Sequence, residues 1–168
     1  MHGIFFPVGC RNYKSLSDSD REKDYNRAQV KCDNRLPKAW YRFTGAAGRQ
    51  MPTGVVPRNH CGTHAPGWLS GGHPTVAQGT VTRRVCFHWT RSSCQWSRII
   101  RVQNCGAFFV YELQPTPTCR LRYCGDDLRG KVFKYKYQID GFILKVALIG
   151  CVVRFIAWCY ATRAENTL

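Results

Sequence analysis

The stretch Val85–Trp96, VCFHWTRSSCQW, puts two cysteines, a histidine and two tryptophans into twelve residues. Such a run is a metal site, a thiol active site or a disulfide staple over aromatic residues. A zinc site or an activated thiol needs reduced cysteines, whereas a staple needs an oxidising compartment. The choice among them therefore settles the compartment first and the fold with it.

Composition narrows the choice. The chain has 168 residues, ten cysteines and 44% hydrophobic residues, enough for one domain with a true core plus a tail. Eight cysteines (Cys10, Cys32, Cys61, Cys86, Cys94, Cys105, Cys119 and Cys124) precede residue 125, and Cys151 and Cys159 lie in an apolar tail. An even count spread over a soluble region, with no CxxC pair, favours a disulfide framework in an oxidising compartment. The net charge of +15 raises nucleic acid as a partner. However, Arg42, Arg49, Arg58, Arg98, Arg101, Arg120 and Arg122 are scattered singly, and no nucleic-acid signature accompanies them. A solvated basic surface is expected, with no nucleic acid bound. The densest basic patch is Lys131, Lys134 and Lys136.

Outward from the opening stretch the pattern is strand and loop. KAWYRFTG at 38–45 and GTVTRRVCFHW at 79–89 are aromatic and β-branched runs bounded by glycine. AFFVYEL at 107–113 is an apolar run ending at the prolines of QPTPT. TCRLRYC at 118–124 alternates, so Cys119, Leu121 and Tyr123 are expected on one face and Arg120 and Arg122 on the other. Ser15–Arg27 is polar and aperiodic and predicts a long exposed loop, its aspartates solvated. Trp40, Trp68, Trp89 and Trp96 are expected mostly in the core, the last two sealing the cystine from water. The fold class is mainly β with long loops, with room for a small α+β arrangement: disulfide-stapled antiparallel strands, a single domain over 1–128 and a tail over 129–168.

The competing chemistries fit less well. Cys61 and His64 have C-x2-H spacing, and His60, His73 and His88 could add ligands, but two close ligand pairs across a short loop are missing. His88 lies two residues from Cys86, which on a strand shares a face without imposing contact. No nucleophile elbow, HExxH or phosphate loop occurs. The expectation is no catalysis, no metal and no cofactor, with a zinc-dependent or thiol enzyme as the weaker alternative. The staple remains.

AWYRFTGAAGRQMP, CGTHAPGWLSGGHPTVAQGTVTRRVCFHW, SCQW and GAFFVYELQPTPTCRLRYC together resemble the eight-cysteine module of uromodulin-like and pancreatic granule membrane glycoprotein-like extracellular proteins. The resemblance covers about Cys10 to Cys124, with the order and context of all eight cysteines. It implies the pairs Cys10 with Cys105, Cys32 with Cys119, Cys61 with Cys124, and Cys86 with Cys94, out of the 105 connectivities that eight cysteines allow. Val55 and Ser93 stand where a ten-cysteine form has one further bridge. Ser70 and Glu112 stand where glycan-bearing asparagines would be needed, and the chain holds no N-x-S/T sequon. Glycan display through this module is therefore not expected.

The tail is read separately. KVFKYKYQI alternates like a strand, and residues 141–160 have membrane-span length interrupted by Lys145 and Arg154. Insertion comes out near break-even, about −3 to −6 kcal/mol of apolar gain against roughly +5 to +7 kcal/mol for two central charges. The lysines ahead of the segment argue against the orientation an extracellular module would need. The start, MHGIFFPVGC, is too short for a signal-peptide core, so a leader and further domains are expected upstream. The reading is a non-catalytic interaction or structural module, secreted or on the extracellular face of a membrane. Its partners are extracellular proteins or glycans, with 141–160 a candidate membrane segment. The alternative is a basic protein that binds glycosaminoglycans or membrane surfaces.

Overall fold

A computed structural model describes residues 7–27, 30–127, 134–139 and 142–147. The chain divides into two compact units, 1–128 and 129–168. The first is a single seven-stranded sheet. Its strands are β1 (Lys14–Leu16), β2 (Ala39–Phe43), β3 (Ala65–Ser70), β4 (Thr80–Trp89), β5 (Ser92–Asn104), β6 (Phe109–Leu113) and β7 (Leu121–Tyr123). Their spatial order is β1-β2-β6-β5-β4-β3-β7. The central five pair antiparallel, and each edge adds a parallel strand, β1 along β2 and β7 along β3. Loops, a short helix α1 (Val8–Arg11) and two single 3-10 turns complete the unit.

The sequence runs become these strands because their alternate residues share one buried face. Tyr41, Tyr111 and Val102 form one row across β2, β6 and β5, extended by the half-buried Val81 of β4. A second row joins Tyr123, Gly67 and Phe87 across β7, β3 and β4. Gly67 belongs there for space, since a Cβ would sit 2.7 Å from the Phe87 ring. Its bareness lets Phe87 and Tyr123 meet edge to face with centroids 5.5 Å apart. Three core tyrosines carry hydroxyls that must be paired once buried. Tyr41 donates to the Pro37 carbonyl and Tyr123 to the Gln114 carbonyl, while the Tyr111 oxygen accepts the Met51 N–H.

Two expectations are corrected here. Ser15–Arg27 is not a solvated loop: β1 lies within it, and Asp20 and Arg21 in the turn Ser19–Arg21 are buried. The tryptophans are not the core. Trp96 is 40% exposed, and Trp40, Trp68 and Trp89 are only half-buried, with Trp89 packed at the core margin. Tyrosine and phenylalanine fill the centre instead.

The second unit contains β8 (Lys134–Ile139) paired antiparallel with β9 (Phe142–Ala147). Six residues of the candidate span 141–160 are thus extended rather than helical. Among the described residues no helix is long and apolar enough to cross a membrane. Residues 148–160 lie outside the described residues.

Candidate interaction surface

Four bridges frame the first unit. Cys10 joins Cys105, Cys32 joins Cys119, Cys61 joins Cys124 and Cys86 joins Cys94, with Cα–Cα distances of 5.7, 5.0, 5.7 and 4.6 Å. Three close long loops and one closes a loop of eight residues. Cys10–Cys105 ties α1 down where it packs beside β5 and β6. Cys86–Cys94 crosses the β4–β5 hairpin just before its turn, where Thr90 is held at φ 39°. A β-branched residue disfavours that conformation, and the covalent link beside it holds the hairpin closed.

Around the buried Cys61–Cys124 bridge lies a charge lock that the alternation of TCRLRYC hides. Arg122 is 2% exposed, not on a solvent face. Its guanidinium pairs with Asp20 at 2.9 Å and Asp18 at 3.3 Å and donates to the Cys61 carbonyl at 3.2 Å. Burial, together with the nearby Arg21 charge, lowers its pKa from the arginine norm against the pull of Asp20. Arg21 forks onto both Asp33 oxygens at 2.8 and 2.7 Å and reaches the Tyr123 carbonyl. Asp33 in turn accepts the Tyr123 N–H at 2.9 Å, so the lock grips the backbone of β7. Lys31 completes the set on Asp20. Burial raises the pKa of Asp20, but Lys31 and Arg122 outweigh it and hold the group below its ordinary value. Three cations thus meet three carboxylates, as buried charge requires. Gly62 sits within this lock at φ 61°, where a Cβ would lie 2.7 Å from an Arg122 nitrogen.

The histidines go to separate places. His60 meets the Arg58 carbonyl, His64 packs edge-on to Trp89, and His88 meets the Val56 carbonyl. His73 lies against Phe109 and bonds the Tyr111 hydroxyl at 2.7 Å. That hydroxyl already accepts the Met51 N–H, so its own proton points to a neutral His73 nitrogen. Burial and the nearby Arg83 charge push the His73 pKa down to about 4. Cys61 and Cys86 are both bridged, which removes the ligand and the nucleophile of the zinc and thiol readings.

The sheet's outward face is where the unit meets solvent. One row across it is Trp40, Glu112, Arg101 and Thr82, and the next is Ile99, Arg84 and Ser70. At one end α1 packs over β6 and β5, and Arg101 stacks 5.4 Å from the Trp40 ring while forking onto Glu112 at 2.6 and 2.7 Å. At the other end the Arg122 lock closes over β7. Between them Arg84, Ile99 and Thr82 are exposed. Ser70 and Glu112, the two positions that would need asparagine to carry glycans, both belong to this face. Val55 and Ser93 are exposed toward the hairpin end, where Val56 meets His88 and the Ser93 carbonyl accepts the Trp68 indole N–H. Of the basic patch, Lys134 and Lys136 are on β8, and Lys131 lies outside the described residues.

A mixed sheet closed by long bridges, with its internal charges paired, defines a disulfide-rich extracellular domain. The chain belongs to the uromodulin-like family: the family model for the uromodulin-like eight-cysteine domain matches residues 41–125. It is similar to the pancreatic secretory granule membrane major glycoprotein GP2 of the dog (Canis lupus familiaris), 43% identical over 118 residues, which is 70% of this chain and 23% of that protein. It is also similar to rat (Rattus norvegicus) uromodulin, 43% identical over 118 residues, 70% of this chain and 18% of that protein. Mouse (Mus musculus) GP2 is 41% identical over 129 residues, covering 74% of this chain and 24% of its own length. The chain therefore spans a quarter or less of the curated relatives it matches. The family is not enzymatic.

Proposed function

We propose that the chain supplies a bridged interaction module to a secreted or cell-surface protein, one that contacts extracellular proteins or glycans rather than transforming a substrate. The observation that carries this reading is the engagement of all eight module cysteines in bridges, three of them 63 to 95 residues apart. Such long closures stabilise by restricting the unfolded chain and persist only outside the reducing cytosol. The open strip on the outward face favours binding as the work of the module. Residues 141–160 have no part in this proposal, because Phe142–Ala147 pair as a strand.

The test is to send the full chain through a secretory route behind a supplied leader and to map its bridges by non-reducing peptide mass analysis. Four bridges and specific, saturable binding of the purified protein to cell surfaces are expected, with binding abolished by reduction and alkylation. Free thiols at these eight positions in the native compartment, or binding that survives reduction, would overturn the reading.

A further inference from the structure

The carboxylates of this chain are segregated. Between Asn34 and Tyr111 there is no aspartate or glutamate, yet that stretch holds ten lysines and arginines. Five carboxylates lie in Asp18–Asp33, and three of these, Asp18, Asp20 and Asp33, serve the buried lock with Arg21, Arg122 and Lys31. Asp126 pairs with Lys23 at 3.5 Å, and Glu112 pairs with Arg101. The acidic side chains are thus largely neutralised near β7, and the β4–β5 hairpin keeps its positive charge.

The hairpin is specifically arginine-bearing. Thr80–Asn104 contains Arg83, Arg84, Arg91, Arg98 and Arg101 and no lysine. Arg84 and Arg91 are exposed and have no acidic partner among the described residues. Arg98 pairs with the buried Val85 on the sheet's other face and donates to the Pro115 carbonyl, so it stands apart from them. On the outward face Arg84 stands opposite Ile99, and Arg101 is two residues along β5, a diagonal spacing of about 7–8 Å. Thr82, Ser97 and Ser70 surround them with hydroxyls. From Ser92 to Arg101 the strand runs about 30 Å at its usual rise.

We propose that this hairpin is a binding surface for a linear sulfated polysaccharide. The proposal rests on the interaction-module reading above and names the partner's chemistry. Arginine forks match tetrahedral oxyanions with paired hydrogen bonds, which a lysine point charge does not. A protein partner would need a central apolar anchor in a pocket, and this strip offers a single exposed aliphatic side chain, Ile99 at 53% exposure, on a flat sheet. Arg84 and Arg101 beside Thr82, Ser97 and Ser70 on one face, with Arg91 at the turn, suit a flexible polyanion held by repeated charge-assisted bonds. No carboxylate on the hairpin opposes its approach.

The experiment uses the secreted full chain with mapped bridges, probed with heparin, chemically desulfated heparin and poly-glutamate in solution. Arg84→Gln/Arg91→Gln is compared with Lys134→Gln/Lys136→Gln, which removes the same charge elsewhere. Heparin affinity should fall about tenfold or more in the arginine variant, and the log–log salt slope should drop by about one per arginine. The lysine variant should bind as the parent does, and desulfated heparin should bind neither. Equal losses in both variants would make binding a matter of net charge and overturn the proposal. Poly-glutamate binding as tightly as heparin would overturn it in favour of an acidic protein partner. Circular dichroism and intact bridges in the arginine variant exclude misfolding as the cause. Failure here with secretion and bridges intact leaves the module reading standing, whereas free thiols would remove that reading itself.

Discussion

Two bridges of this sheet stand in opposite surroundings. Cys61–Cys124 is fully buried, closes 63 residues and sits against the Arg21, Arg122, Asp20 and Asp33 lock. Cys86–Cys94 closes eight residues at the hairpin end, with Cys94 half-exposed and Trp96 open to solvent beside it. In the chain-entropy account the longer closure stabilises by about 4 kcal/mol and the shorter by about 2.6 kcal/mol. The same covalent bond thus serves two ends. At the β7 end it fixes a region whose buried charges depend on one another. At the hairpin it holds a turn whose surface is free to bind.

The two ends separate most visibly through the charge lock. Asp33→Ala leaves Arg21 buried without its fork and the Tyr123 N–H without its acceptor, which should cost roughly 3–5 kcal/mol and stop secretion. Arg21→Met with Asp33→Leu should cost clearly less than the two single changes added together, by chemical denaturation. Additive losses would mean that the two side chains do not act as a pair.

Next come the cysteines. Cys61→Ser or Cys124→Ser should lower stability by about 4 kcal/mol, and Cys86→Ser or Cys94→Ser by about 2.6 kcal/mol. In each pair the double variant should be no worse than either single one, because one bridge is lost in every case. If the hairpin pair proved the more damaging, the ranking of the two ends would be reversed.

Aromatic truncation sharpens the contrast on a smaller scale. Phe87→Ala, in the core row with Tyr123, should cost about 3–5 kcal/mol. Trp96, its neighbour across the ladder, should cost under about 1 kcal/mol when changed to alanine. Acrylamide quenching should find one readily accessible tryptophan in the folded module, and Trp96→Ala should remove it. Comparable losses at the two positions would return the tryptophans to the core.

A further effect is set by protons. Folded His73 is neutral with its pKa near 4, below the ordinary value of 6.5, so the unfolded chain takes up the proton first. Its contribution to stability is complete above about pH 6.5 and is lost as the pH falls through about 4. Denaturation midpoints compared at pH 7 and pH 4.5 should show a smaller acid loss in His73→Phe than in the parent. An unchanged difference would place the acid sensitivity in the carboxylates alone.

Much of the architecture was legible in the residues taken in order. β2, β4 and β6 follow from aromatic and β-branched runs whose alternate positions must leave water, and such patterns are local. The cystine of VCFHWTRSSCQW was legible for the same reason, because its two cysteines lie on one hairpin. The long bridges came from family resemblance rather than spacing. The open strip was harder to see: Arg84 and Arg101 are seventeen positions apart and become neighbours only when β4 and β5 pair.

Cysteine order and strand alternation survive in one dimension, and they are enough to mark an oxidised, mainly β module of the uromodulin-like kind. Which charges are buried and which aromatic rings are bare depends on packing between distant segments. Arg122 alternates like a surface residue, yet Asp18, 104 residues away, and Asp20 come to meet it, and without them its burial would be prohibitive. Trp96 has the size of a core residue, yet it lies on β5 outside the stretch Arg101–Asn104 that β6 pairs, and it is 40% exposed. Burial depends on what the rest of the chain brings to a position, and alternation within a strand carries no record of that.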